Sequence, residues 1–211
     1  MTTEDARNSM VDTQIARRGI KDARVLAAMR TVPRENFTAP GFENAAYEDR
    51  ALPIAEGQTI SQPYIVGAML AGAELEPGDR LLEVGAGSGY AAAVASRIVK
   101  GVLAIERHAA LTEAATQRLA TLGYTNVTLK TGDGSRGWPE EAPFDAIIVS
   151  AGGPAVPEAL KQQLAIGGRL VIPVGPAEEQ RLIRLTRTGE DTFRQDDLGA
   201  VRFVKLITSD D

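Results

Sequence analysis

The chain has 211 residues, enough for one substantial core, and its 44% apolar and 24% charged residues are ordinary for a globular protein. Its 28 acidic against 23 basic residues leave a net charge of −5, which speaks against a broad nucleic-acid footprint, because that requires a concentrated basic patch. Cysteine is absent and His108 is the only histidine, so disulfides, thiolate metal sites, cysteine nucleophiles and multi-histidine metal centres are excluded.

No apolar run approaches the ~20 residues of a membrane span, and the polar stretch from Met1 to Gly19 has no signal-peptide core. A cytoplasmic protein without membrane or nucleic-acid partners is expected. It is expected to be a monomer, since no heptad or exposed apolar helix calls for a partner. Residues 1–211 read as one domain: a helical segment over 1–75, an α/β core over 76–175 and a C-terminal hairpin over 176–211.

In chain order, Met10, Val11 and Ile15 fall at helical spacing, as do Val25, Leu26 and Met29 behind the cap residue Asp22. Pro33, Pro40 and Gly41 break the pattern, and an irregular stretch runs from Arg34 to Gly57. Ile65, Met69 and Ala73 predict a helix starting near Ser61, with Pro63 in its first turn. Short apolar runs then alternate with helical periodicity. Strands are predicted at Leu81–Val84, Val102–Ile105, Val127–Leu129, Ala146–Val149 and Arg169–Val174. Helices fall between them at Tyr90–Ile98, around Leu111–Leu122 and around Pro157–Leu164. This alternation predicts a doubly wound, mostly parallel sheet covered on both faces. Arg181–Arg187, a turn at Thr188–Glu190 and Val201–Ile207 then read as an antiparallel hairpin at its edge.

The run Leu81-Leu82-Glu83-Val84-Gly85-Ala86-Gly87-Ser88-Gly89-Tyr90 places three glycines between a strand and a helix, where backbone can approach a ligand closely. Its spacing is G-x-G-x-G, whereas a dinucleotide site expects G-x-G-x-x-G. The pattern resembles that of Rossmann-like methyltransferases, which carry an acid just before the first glycine; Glu83 fills that place. Glu106 ends the second predicted strand, 21 residues after Gly85, near the ~20 expected of an acid that binds ribose hydroxyls. Gly132-Asp133-Gly134 follows the third strand and suits an acceptor for an adenine amine. The acids lie at the carboxyl ends of consecutive strands, where open α/β sheets bind ligands. They predict a nucleoside-bearing cofactor, S-adenosylmethionine, leaving as S-adenosylhomocysteine. Contacts are expected from Glu83, Gly85, Gly87, Glu106, Gly132 and Asp133.

The acceptor is a separate question, because one fold hosts many reactions. Cytosine C5 methylation needs a cysteine, which is lacking. The segment after the fourth strand, Ser150-Ala151-Gly152-Gly153-Pro154, does not match the [ND]-P-P-[YF] of amino methylation of bases. The segment Gly57-Gln58-Thr59-Ile60-Ser61-Gln62-Pro63-Tyr64 is more informative. With Val32-Pro33-Arg34-Glu35-Asn36-Phe37, the glycine loop, Gly132-Asp133-Gly134 and Val201-Arg202-Phe203-Val204, it makes nearly the whole chain resemble the protein-L-isoaspartate O-methyltransferases. That resemblance implies a seven-stranded sheet whose last two strands differ in arrangement from most methyltransferases. It implies methylation of the free α-carboxylate of L-isoaspartyl residues in damaged peptides and proteins, which initiates repair through a succinimide. It makes Ser61 the active-site residue, puts Gln58, Thr59, Ile60 and Ser61 against the cofactor, and lays the tail near Val204 over the substrate.

A carboxylate of pKa near ~3.5 is already ionised at pH 7, so the reaction needs no general base, in keeping with the lack of one. A simpler reading of the segment has Thr59 or Ser61 capping the following helix. Two departures stand out. Lys205 replaces a proline usual in the family's tail, which puts substrate preference in question, and Gly152-Gly153 predicts a mobile loop. Rival readings are a relative that methylates ordinary aspartate, a non-catalytic binding module and a nucleic-acid methyltransferase. The tail ends soon after Val204, the cofactor acids are intact and the charge balance is acidic, which disfavours each in turn.

Overall fold

The computed structural model describes residues 2–208. Helix α1 (Thr3–Met10) begins with a reciprocal cap: Thr2 Oγ1 accepts from the Asp5 amide and Asp5 accepts from the Thr2 amide. The helix widens over Val11–Ile15, tightens over Ala16–Arg18 and stops at Gly19, whose φ of 99° few other residues adopt. Helix α2 (Ala23–Thr31) is capped as expected by Asp22, which accepts from the amides of Arg24 and Val25. The irregular stretch that follows holds strand β1 (Leu52–Pro53), which pairs antiparallel with β2 (Thr59–Ile60). Helix α3 (Pro63–Gly72) has its proline in the first turn, where no amide is needed.

The α/β core then runs β3 (Arg80–Val84), α4 (Tyr90–Ala95), β4 (Gly101–Glu106), α5 (Ala109–Thr121), β5 (Val127–Thr131), β6 (Phe144–Val149), α6 (Glu158–Gln162), β7 (Leu164–Val174), β8 (Gln180–Arg187) and β9 (Phe193–Val201). Among the described residues seven strands form the main sheet, in the order β5-β4-β3-β6-β7-β8-β9. The five strands from β5 to β7 are parallel, and β8 and β9 complete the sheet antiparallel and in plain sequence.

Successive residues of the central strands serve opposite faces. Leu81, Ala146, Ile148 and Val171 join a cluster that includes Met10, Ile15, Val25, Met29 and Leu70. Leu82, Val84, Ile147, Leu170 and Ile172 join a second one with Leu160 and Leu164. The near-continuous apolar runs are therefore what a sheet buried on both faces requires. The N-terminal helices share the first cluster with α3 and α4 and so become a wall of the same core. Strand β3 has β4 on one side and β6 on the other, and chain connections leave it in both directions. This is the switch point at which ligands bind in such sheets.

One element differs from the sequence reading. The partner of β8 is Phe193–Val201, not Val201–Ile207. The polar stretch Phe193–Val201 makes a charged outer edge, with Arg181 bound to Asp197 and Arg184 to Asp196. The apolar run after it is extended, with a single bridge from Lys205 to Gly152. Its alternation reflects burial against a cavity, which has the same period as a strand.

Gly168 sits in β7 beside the register shift between Phe144 and Ala146 of β6. A Cβ there would lie 2.8 Å from the Ala165 carbonyl oxygen and 3.1 Å from those of Phe144 and Asp145. Gly168→Ala should cost about 1–3 kcal/mol. The melting temperature should fall by roughly 2–4 °C for each kcal/mol, measured by thermal unfolding followed by circular dichroism.

Candidate active site

A cavity of about 760 Å³ opens at the carboxyl ends of β3, β4 and β6. Its floor is the glycine loop. Val84 O accepts from the Ser150 amide at 2.8 Å and Ile105 O accepts from the Gly85 amide at 2.8 Å, so the loop is fixed to both neighbouring strands. Gly85, Gly87 and Gly89 have φ of 86°, 52° and 85°, a left-handed run that presents bare backbone to the cavity. The Gly87 amide donates to Glu106 Oε2 at 2.8 Å, and the His108 amide donates to Oε1 at 3.0 Å. Each oxygen of Glu106 keeps a lone pair free for a hydroxyl partner.

Glu83 is wholly buried, and its Oε2 has no hydrogen-bond partner among the described residues. Burial, with the charge of Glu106 adding to it and an Ala92 backbone hydrogen bond opposing, pushes its carboxyl up to about 8. It lines the cavity. The carboxyl at the end of β3 is thus buried at the cavity with one oxygen left without a partner among the described residues, a costly arrangement unless a bound group completes it.

The opposite wall is Gln58, Thr59, Ile60 and Ser61, followed by Tyr64, with Arg18 stacked over its ring at 3.5 Å. The N-cap of α3 is Gln62, without a side-chain hydrogen bond, so neither Thr59 nor Ser61 caps that helix. Ser61 lines the cavity and is half-buried. The tail from Ala200 to Ile207 forms the roof. It is held by Gly152, whose amide donates to Val204 O and whose carbonyl accepts from the Leu206 amide, both at 2.8 Å. Gln180 Oε1 accepts from the Phe203 amide at 2.7 Å. A Cβ on Gly152 would collide with the Gln180 amide group at 2.2 Å. The loop expected to be mobile is thus tied at Gly152 and Gly153, both of them buried.

Gln58, Thr59, Ile60, Ser61, Glu83, Gly85, Gly87, Glu106 and Val204 all converge on this one cavity. Gly132 and Asp133 stand just behind its wall, where Gly134 is the lining residue. The Gly132 amide is bonded to Glu106 O, and Asp133 Oδ1 accepts from the amide and hydroxyl of Ser135. His108 lines the cavity with Nδ1 3.7 Å from Glu56 Oε2. Two contributors escape a sequence reading, Arg18 and Gln180, and Arg34 entered it only within the Val32–Phe37 resemblance, without a role. Gln180 and Arg34 are polar residues buried by tertiary structure, which leaves no local pattern.

A family model described as protein-L-isoaspartate(D-aspartate) O-methyltransferase matches residues 5–211. The chain belongs to this family. It is 61% identical over 203 residues to a protein-L-isoaspartate O-methyltransferase of Methylorubrum extorquens, covering 96% of this chain and 89% of the relative. A Pelobacter propionicus enzyme of the same name is 57% identical over 205 residues, covering 97% and 91%. A Plasmodium falciparum beta-aspartate methyltransferase solved with S-adenosyl-L-homocysteine superposes with a TM-score of 0.82 at 27% identity, covering 95% of this chain and 98% of that one. The isoaspartate methyltransferase fold and its dependence on S-adenosylmethionine follow for this chain.

The residues fit that cofactor. Backbone approaches without side chains at Gly85 and Gly87, Glu106 offers paired acceptors suited to ribose hydroxyls, and Glu83 leaves one buried oxygen unpartnered at the cavity. In the unfolded chain Glu83 ionises above about 4.5, whereas in the folded protein it holds its proton up to about 8. The folded form binds more protons in that window, so its stability falls as pH rises from 4.5 towards 8. Glu83→Gln should remove this slope and raise the ligand-free stability at pH 8 by roughly 2–4 kcal/mol. It should also weaken S-adenosylhomocysteine binding. Urea unfolding at pH 5 and pH 8, with calorimetric titration, checks both.

Proposed function

We propose that this cavity transfers a methyl group to the free α-carboxylate of L-isoaspartyl residues in damaged proteins and peptides, with Ser61 holding the acceptor. The observation that carries this is the position of Ser61. It lines the same cavity as the glycine loop, is not used as a helix cap, and makes no side-chain hydrogen bond to another described residue.

When bound, S-adenosylmethionine supplies an electrophilic methyl group. Gly85, Gly87 and Glu106 would hold its nucleoside, Glu83 its positively charged end, and Gln58, Thr59 and Ile60 its outer side. Gly132 and Asp133 would shape the adenine end through Gly134. The acceptor carboxylate is ionised at neutral pH, so the protein has no proton to remove. What remains is orientation, which can lower a barrier by several kcal/mol. The Ser61 hydroxyl donates to one carboxylate oxygen, leaving the other to react. The roof near Val204, which lines the cavity, would lie over the isoaspartyl group. The methyl ester then leaves the site and cyclises, as the following backbone amide nitrogen attacks the ester carbonyl and expels methanol, to a succinimide whose hydrolysis returns part of the residue to normal aspartate.

The reading extends to a cytoplasmic monomer whose partners are its substrates, with no nucleic acid or membrane. Among the described residues no helix is long and apolar enough to cross a membrane. The exposed large apolar residues are few, and Val204 and Ile207 belong to the cavity roof.

Ser61→Ala should lower kcat/KM for an isoaspartyl peptide about 10–100-fold, the worth of one hydrogen bond to a charged group. Affinity for S-adenosylhomocysteine should hold within about threefold. Turnover on a matched isoaspartyl and aspartyl peptide pair checks the acceptor. Preference for the aspartyl peptide would reject the repair reading.

A further inference from the structure

Arg34 is the largest fully buried side chain among the described residues, with no exposed surface. Its guanidinium has no carboxylate partner there. Nε donates to Ala46 O at 2.7 Å, Nη2 donates to Ser61 O at 2.9 Å, and Nη1 has no partner. The Tyr90 ring centroid lies 4.9 Å from the guanidinium carbon. Burying a cation on two neutral carbonyls and a ring face is expensive, and packed apolar side chains usually fill such space at lower cost. A role beyond packing is therefore called for, and the local geometry supplies one.

Ser61 is a junction residue. Thr59 and Ile60 before it are held in the β1–β2 ladder. After it, the first amides of α3 bond to Gln62 O, not to Ser61 O. The Ser61 carbonyl thus falls between a strand and a helix, served by neither ladder, and Arg34 is its donor. The planar fork of the guanidinium fixes Ser61 against Ala46 in a way that a single flexible donor does not. We propose that Arg34 is a positioning residue for the acceptor site: by clamping the Ser61 main chain, it aims the Ser61 hydroxyl at the substrate carboxylate. It lies behind the wall and is not among the residues lining the cavity. This inference rests on the assignment of Ser61 to the substrate.

The test compares Arg34→Lys, which keeps the charge but loses the fork, and Arg34→Met, which loses both, with Ser61→Ala in the same assays. KM for an isoaspartyl peptide is measured by steady-state methylation and the S-adenosylhomocysteine Kd by calorimetry. The expected result is a rise in peptide KM of about tenfold in the Arg34 variants, with the Kd within about threefold of the parent. A purely structural residue would lower the melting temperature without separating these two readouts. Unchanged peptide KM, parallel losses in KM and Kd, or failure of both variants to fold would overturn the inference. Full activity in Ser61→Ala would instead remove the assignment on which it rests, so the two failures are distinguishable.

Discussion

Strand β3 ends between two parallel neighbours, and the way its last carbonyl and the next amide are bonded determines the cavity. Val84 O is bound to the Ser150 amide on one side, and the Gly85 amide to Ile105 O on the other. The chain must therefore turn at once, out of the sheet and across the top of β4. Only a backbone tolerant of positive φ can do so, which is why glycines stand at 85, 87 and 89. The turn brings the Gly87 amide onto Glu106, and this bond fixes the acid where β4 ends. The floor of the site is thus a consequence of sheet geometry. The residues that face the ligand inherit their positions from it.

The walls come from outside the sheet and are held by different means. The Gln58–Ser61 wall is suspended between a two-residue ladder and the start of α3, with Arg34 behind it. The roof is an extended tail secured at Gly152 and Gln180. Gln180 links these supports, because its side chain packs onto Gly152 and accepts from the Phe203 amide. A peptide-sized substrate needs an open mouth. Walls made of clamped irregular segments give one, whereas further sheet or helix would close it.

Much of this was readable in the sequence because it depends on local spacing. The strand–glycine–helix run, the acid 21 residues on, and the intervals between apolar runs are set by backbone periods, so the mostly parallel sheet and the glycine loop at its carboxyl edge could be read from them. The tail failed for a physical reason. Val201–Ile207 alternates because one side of it is buried against the cavity and Gly152, and alternation records burial, not pairing. The true edge strand, Phe193–Val201, carries Arg194, Asp196 and Asp197 on an exposed edge and so lacks an apolar signal. The roles of Arg34 and Gln180 lay hidden for the opposite reason. Each is a polar residue whose partners lie in distant segments, and nothing adjacent marks it as buried.

Two buried ionisable groups, one on the cavity and one behind its wall, are left with an unpartnered atom. Glu83 Oε2 and Arg34 Nη1 each lack a hydrogen-bond partner among the described residues, and neither serves the other. Glu83 leaves its free oxygen on the cavity floor, and Arg34 spends its donors on main-chain carbonyls behind the wall. Keeping them apart costs folding free energy, and sites that bind charged ligands commonly carry such a cost. The cost is recovered on occupancy, since a ligand that binds only the folded form stabilises it by mass action. A cationic cofactor beside Glu83 would complete the floor. Arg34 differs, because it does not line the cavity and its polar contacts are to main-chain carbonyls of the protein itself. That independence is what a clamp on Ser61 requires: a brace that must stay in place while cofactor and peptide come and go cannot depend on either for its own partner.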